Sequence, residues 1–280
     1  MKNMNFGSRG RVLPRWIITG TLLTAMIMAV QATAQTVADN PYQVEYYWGE
    51  LPGARPMGVV TGVQPDPDGE HIWVLERCGT NQCAGSQLDP IHKLDSEGNT
   101  VKSIGAGIFA WPHGFDMDDE GNFWVTEGAP AGDARGEPCI SLGMGHQVLK
   151  LNQDGEVLLR LGEAGVPGDD ETHFNGPAAV LAAPNGDIWV ADGHRGGNNR
   201  VLKFSSAGDL LLQLGGGIES LSREASNFND PHDLKMDSQG RVFVADRGNN
   251  RIQIFSQAGE LLDIWTQFGR PSGIWIDPND

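Results

Sequence analysis

Beyond its first thirty-four residues this chain has no helix-period run of useful length and no glycine-rich phosphate loop. The stretch "GHRGGNNR" (193–200) lacks the strand–glycine–helix context of a dinucleotide site. Basic residues are scarce, 20 Lys and Arg against 36 Asp and Glu. That balance argues against a nucleic-acid binder, which needs basic patches to neutralise phosphates, and against an anionic membrane surface. Cysteine is scarce too, with Cys78, Cys83 and Cys139 alone, so there is no second pair for a zinc knuckle. In an oxidising compartment three cysteines allow one disulfide and one leftover thiol. Cys78 and Cys83 share the loop "RCGTNQCAGS" and are the nearest pair.

The one long apolar run lies near the start. Lys2, Arg9, Arg11 and Arg15 precede "WIITGTLLTAMIMAV", and Ala32-Thr33-Ala34 follows. A basic region, an apolar region and an Ala-x-Ala site read as a secretory signal peptide over 1–34, cleaved near Ala34. The run is short for a membrane span, which needs about 20 apolar residues; an uncleaved anchor is the competing reading. Cleavage leaves 16 basic residues against 36 acidic ones, a net charge of −20. The expected product is a secreted or periplasmic protein with no membrane attachment. The sequence assigns it no oligomeric state.

What is abundant is repetition. "WPHGFDMDDEGNFWVTEG" (111–128) recurs as "PAAVLAAPNGDIWVADG" (177–193) and "PHDLKMDSQGRVFVADR" (231–247), with a looser copy at 60–77 and the start of another, "PSGIWIDPND", at 271. Each full copy alternates apolar residues, turns at an acidic or Asn residue with Gly, and ends a second strand near Asp or Glu. A second half follows each: "DPIHKLDSEGNTVKSIG" (89–105), "HQVLKLNQDGEVLLRLG" (146–162), "NRVLKFSSAGDLLLQLG" (199–215) and "NRIQIFSQAGELLDIW" (250–265). Two strands around a glycine turn make a hairpin. Units beginning at Val60, Pro112, Pro177, Pro231 and Pro271 are spaced 52, 65, 54 and 40 residues. Four short strands per unit at such a period predict an all-β propeller, with loop insertions near 129–145 and 163–176. The fifth unit stops at "IDPND", so about four and a half blades are visible over 58–280. The chain reads as one cut short in its fifth blade. Residues 35–57 are an N-terminal segment, in which "YQVEYYW" (42–48) could pair as a closing strand. The Asp-rich turns lack the twelve-residue calcium-loop pattern. Trp73, Trp124 and Trp189 share one repeat position and read as core.

These units resemble NHL repeats. The chain is most similar to peptidyl-α-hydroxyglycine α-amidating lyases and their secreted bacterial relatives, through "WPHGFDMDDEGNFWVTEG", "HFNGPAAVLAAPNGDIWVADG", "NDPHDLKMDSQGRVFVADRGNNRIQIF" and the "LER" at 75–77. The resemblance implies a six-bladed propeller with a zinc held by three histidines on its axis and a structural calcium nearby. It implies cleavage of a peptidyl-α-hydroxyglycine, or a similar hydroxylated amide, to an amide and glyoxylate. Carried onto this sequence, two zinc ligands match His113 and His232. A catalytic arginine matches Arg77, and a second active-site arginine matches Arg247 in "ADR". A calcium contact falls on the Phe115 carbonyl. His194 in "DGHRGG" stands where the family has its catalytic tyrosine.

The positions after each unit start carry Thr61, His113, Ala178, His232 and Ser272. Alternate blades of six are a third of a turn apart, so His113 and His232 fit a three-imidazole site with an open position. On that count the third ring belongs to a sixth blade, beyond residue 280; His194 or His173 are the alternatives in hand, and His173 in "THFNGP" reads as structural. Arg77 and Arg247 also fit plain structural roles, and Asp192 and Asp246 read as turn and blade-contact residues. Three functions stay open: a zinc lyase, a non-catalytic propeller binding a peptide or carbohydrate, and a lactonase-type hydrolase. The last would want acids rather than histidines at the blade starts.

Overall fold

Each repeat folds as one four-stranded antiparallel sheet in a computed structural model that describes residues 43–46, 48–216 and 223–277. The first blade holds β1 (Val60–Pro65), β2 (Ile72–Glu76), β3 (Ile91–Leu94) and β4 (Thr100–Ile104). The second holds β5 (Pro112–Met117), β6 (Phe123–Glu127), β7 (Gln147–Leu151) and β8 (Val157–Leu161). The third holds β9 (Pro177–Ala182), β10 (Ile188–Asp192), β11 (Arg200–Phe204) and β12 (Leu210–Gly215). The fourth holds β13 (Pro231–Met236), β14 (Val242–Asp246), β15 (Arg251–Phe255) and β16 (Leu261–Trp265). The first strands touch in chain order, β1 against β5, β5 against β9 and β9 against β13. They are the inner strands of a β-propeller. The middle strands are buried apart from Ile72 and one lysine in each of β3, β7 and β11, and the fourth strands are more exposed, leaving Val101, Leu158, Leu211 and Leu262 outward.

Burial explains the pattern of residues. Trp73, Trp124 and Trp189 lie at matching places and are at most 1% exposed. Lys93, Lys150 and Lys203 sit over the three indoles at 5.4–5.7 Å, so each lysine covers its tryptophan with its stem and keeps its charge outward. The acidic turns are hairpin turns: Gly69, Gly121 and Gly240 donate N–H to the carbonyls of Asp66, Asp118 and Asp237.

A buried acid closes the second strand of every blade. Glu76, Glu127, Asp192 and Asp246 are each at most 1% exposed. Each accepts a backbone N–H from the loop leading into its own blade: Gly58 (2.6 Å), Ala110 and Trp111 (2.5 and 2.9 Å), Asn175 (2.9 Å) and Asn229 (2.8 Å). Arg200 and Arg251 pair with Asp192 and Asp246 at 3.0 and 2.6 Å. In the first blade Arg55 pairs with Glu76 at 2.8 Å, and His92 Nε2 stands 3.5 Å from the same carboxylate.

Several expectations fall on the chain's ends. The leader over 1–34 lies outside the described residues. Among the described residues no helix is long and apolar enough to cross a membrane. Of the segment "YQVEYYW", residues 43–46 and 48 form no strand; Glu50 instead makes an isolated parallel bridge with Asn99. Residues 271–277 also form no strand, and Ile274 and Ile276 pack on Phe243, Ile252, Ile254 and Trp265. Cys78 and Cys83 are disulfide-bonded, and Cys139, in the short helix α1 (Gly136–Ser141), is a buried free thiol.

Burial pushes the Glu76 carboxyl up, but hydrogen bonds from His92, Gly79, Arg55 and Gly58 outweigh it and hold it at about 2. A depressed carboxylate stabilises the fold above the unfolded-state value of about 4.3 and loses that contribution as pH falls toward its folded value. Glu76→Gln should therefore cost about 3 kcal/mol at pH 7, the low end for breaking a buried pair. Urea denaturation should show the gap to the parent shrinking steadily between pH 5 and pH 2; a gap independent of pH would contradict this role.

Candidate metal centre

His113 and His232 are the second residues of β5 and β13. In both strands the pairing register breaks just there, between Pro112 and Phe115 and between Pro231 and Leu234. Proline has no N–H to give the ladder, and the bulge it opens re-aims the next side chain. His194 arrives from another element, the loop after β10. Gly193 and His194 both donate N–H to the Gly176 carbonyl (3.0 and 2.8 Å), which ties that loop to its own blade's lead-in.

The three rings meet. Their centroids are 4.6 Å (His113–His194), 5.0 Å (His113–His232) and 4.8 Å (His194–His232) apart. One ligand atom from each lies within 4.8 Å of the others. Each ring is oriented by an acceptor on Nδ1: the Ala178 carbonyl for His113 (2.7 Å), the Ser272 carbonyl for His232 (2.8 Å) and Asp230 Oδ1 for His194 (3.2 Å). An oxygen acceptor fixes the proton on Nδ1 and leaves Nε2 as the lone-pair nitrogen. Ala178 and Ser272 are the non-histidine positions of the next blades, so each alternate blade start supplies the carbonyl that holds its neighbour's histidine. Burial, then the charges of His194, His232 and Arg77, push His113 well below the usual imidazole value. Burial also brings His232 down to about 4. Neutral imidazoles sharing one space are what a divalent cation needs. The donor set fits zinc, with its second shell in place.

The other expected residues divide. His173 is not in the cluster; its Nδ1 bonds Asp170 at 2.8 Å and its carbonyl accepts from Arg200. Arg77 is 5% exposed, with no carboxylate partner in a direct ion pair among the described residues. Its Nε donates to the Pro112 carbonyl (2.9 Å), Nη1 to Asn81 (2.7 Å), and its guanidinium lies 3.8 Å above the Trp111 ring. Burial and the nearby Arg135 charge lower it to about 10. Arg247 bonds Asp230 Oδ2 through Nη1 (2.5 Å) and Ser272 Oγ through Nε (3.1 Å). The Phe115 carbonyl accepts Gln64 Nε2 (2.9 Å), which also reaches Asp116 (3.1 Å), and the Lys235 ammonium stands 4.0 Å from that carboxylate. Calcium asks for six to eight oxygens, whereas amide and ammonium donors face this spot. The described residues do not fit it.

Two site residues escaped sequence reasoning. Trp111 stacks on His194 (5.6 Å between ring centres, 20° between planes) while carrying Arg77 on its face. Asp230 links His194, the Arg195 N–H (2.9 Å) and Arg247. Both occupy the place just before a blade's starting proline, a position whose identity varies between copies and so drew no notice. About 230 Å³ of channel lies below, lined by His113, His232, Thr61, Ala178 and Ser272 among others.

Fold and repeat together define an NHL-repeat β-propeller, and the NHL repeat family matches residues 228–255 directly. The chain resembles peptidyl-α-hydroxyglycine α-amidating lyases in sequence. It is 36% identical to a probable enzyme of that name from Caenorhabditis elegans, over 72% of this chain and 57% of the relative. It is 35% identical to peptidyl-glycine α-amidating monooxygenase B of Xenopus laevis, over 74% of this chain and 24% of that one. Human NHL repeat-containing protein 3 is 38% identical over 72% of this chain and 60% of its own length. The chain thus spans less than two thirds of the length of each of these curated relatives. A protein of unknown function from Desulfotomaculum acetoxidans shares the fold at TM-score 0.50 and 13% identity, covering 79% of this chain and 60% of that one.

Gly114 lets blades two and three close on the site. A Cβ there would stand 2.7 Å from the Ala178 carbonyl and 2.7 Å from Ala179 Cα. That carbonyl is also the one that holds His113. Gly114→Ala should destabilise the protein by about 1–3 kcal/mol, the usual cost of overpacking, read as a lowered urea midpoint; an unchanged midpoint would mean the two inner strands are not so closely packed.

Proposed function

We propose that this chain is an exported zinc-dependent lyase that cleaves the C–N bond of a peptidyl-α-hydroxyglycine, or a similar hydroxylated amide, to give an amide and glyoxylate. The observation that carries the reading is the convergence of His113, His194 and His232, each with Nδ1 held by an oxygen. The names of the relatives support the reaction class. The Cys78–Cys83 disulfide suits export to an oxidising compartment.

In this reading the three histidines are the zinc ligands, His194 among them. Zinc, when bound, supplies a Lewis acid that lowers the pKa of a nearby hydroxyl. A ring nitrogen committed to the metal cannot also take the substrate's proton, so the general-base role expected at the tyrosine position does not fall on His194. Arg77, buried and with Nη2 unspent, offers a charge-assisted contact to the carboxylate of the glyoxylate portion. Trp111 keeps that guanidinium beside the histidines by stacking between them. The substrate hydroxyl gives up its proton, its electron pair forms the carbonyl of glyoxylate, and the breaking C–N bond leaves an amide nitrogen that gains a proton.

A non-catalytic scaffold is the second reading, because human NHL repeat-containing protein 3 is as similar as the lyases and its name carries no activity. The histidine set favours the lyase. Metal analysis should find one zinc per chain. His113→Ala, His194→Ala and His232→Ala should each weaken zinc by more than about 100-fold, beyond the cost of a lost second-shell partner. The loaded protein should release glyoxylate from an N-acyl-α-hydroxyglycine. Zinc without glyoxylate would overturn the lyase reading, and zinc held undiminished by His194→Ala would free His194 for the base role.

A further inference from the structure

Beside the histidines, the loops at the propeller mouth form an arc of alternating guanidinium and carboxylate groups. Asp133 holds Arg135 in a fork (2.7 and 2.6 Å) and also accepts Arg195 Nε (2.8 Å). Asp230 accepts the Arg195 backbone N–H and Arg247 Nη1 (2.9 and 2.5 Å). Both carboxylates are thereby spent on protein donors. The guanidinium groups are not. Among the described residues, Arg195 gives only Nε, Arg247 keeps Nη2 unused, and the Arg270 side chain donates to nothing. These three arginines border one concavity of about 490 Å³, closed by Ala131, Gly132, Asp133 and Asp230. Arg195, Asp230 and Arg270 all have left-handed backbone, with φ of 53°, 57° and 49°. Such conformations cost about 1–3 kcal/mol in non-glycine residues and persist where the surroundings impose them.

Surplus arginine donors around a cavity, in a chain with net charge −16, call for an anion. A carboxylate matches the guanidinium fork in geometry as well as charge. Arg77 already faces the histidines from the first blade, whereas Arg195, Arg247 and Arg270 come from the loops of blades three to five. We infer that the Arg195–Arg247–Arg270 concavity is an anion subsite, and that the substrate carries a second carboxylate on the residue preceding its hydroxyglycine. The identity of the substrate rests on the lyase reading; the anion subsite does not. A lysine at that position would meet the Arg270 charge, which no carboxylate pairs among the described residues, and would find Asp133 and Asp230 already engaged.

Calorimetry tests it with two unreactive peptides, N-acetyl-Glu-Gly and N-acetyl-Gln-Gly, titrated into the full chain. The glutamyl peptide should bind at least about tenfold tighter, the scale of one charged hydrogen bond. Arg270→Gln should erase that difference while leaving the glutaminyl peptide unchanged. Equal binding of the two peptides, or an Arg270→Gln variant that weakens both alike, would overturn the subsite. Glyoxylate release from the matching hydroxyglycine peptides separates the two readings. Charge-selective binding without glyoxylate keeps the subsite and sinks the lyase; equal binding with glyoxylate from both peptides does the reverse.

Discussion

The site depends on a buried carboxylate at the end of each blade's second strand. Glu76, Glu127, Asp192 and Asp246 all reach back to backbone N–H groups of the loop that leads into their own blade. An unpaired buried acid would be costly, so each is surrounded by donors. What this fixes is the position of the next residues, and those are the ones that face the axis. His113 and His232 follow the pinned lead-ins of blades two and four. Arg77, His194 and Arg247 come one or two residues after Glu76, Asp192 and Asp246. The histidine cluster is thus assembled by structural acids that never touch it; the carboxylate that does is that of Asp230, in the lead-in to blade four.

Blade two breaks the pattern. Where Arg200 and Arg251 face the acids of blades three and four, Gln147 faces Glu127. Burial then raises that carboxyl to about 7, against the pull of the Trp111 and Ala110 N–H groups and the Arg77 charge. The cation whose charge acts on it is Arg77, which lies on the Trp111 ring. In this blade the pin borrows its compensation from the functional site itself, which ties the stability of β6 to the placement of Arg77.

Much of the fold was legible in the sequence because propeller strands repeat. The glycine turns, the tryptophan of the first three second strands and the β-hairpins recur from unit to unit and need no tertiary information. The disulfide followed from proximity in one loop. The site was legible only where it shares the repeat: His113 and His232 sit at equivalent positions and announce a common direction. His194 does not. Its contribution depends on how far the loop after β10 folds back over the axis, and that is set by the Gly176 carbonyl and Asp230, both distant in sequence. Counting blades looks for a third ring beyond residue 280, since the count considers strand positions and not loops such as the one that carries His194. Trp111 and Asp230 were hidden because the residue before each starting proline varies freely, as Trp111, Gly176, Asp230 and Arg270.

The mouth that results is unlike the rest of the chain. A protein with nearly twice as many acids as bases gathers Arg77, Arg135, Arg195, Arg247 and Arg270 around its histidines. Local field, not net charge, governs what enters such a site. The central claim is that one metal sits among His113, His194 and His232. X-ray absorption of the zinc-loaded protein measures it most directly. The account predicts a first shell of three imidazole nitrogens at about 2.0–2.1 Å completed by oxygen; a shell with fewer imidazoles or with sulfur would contradict it.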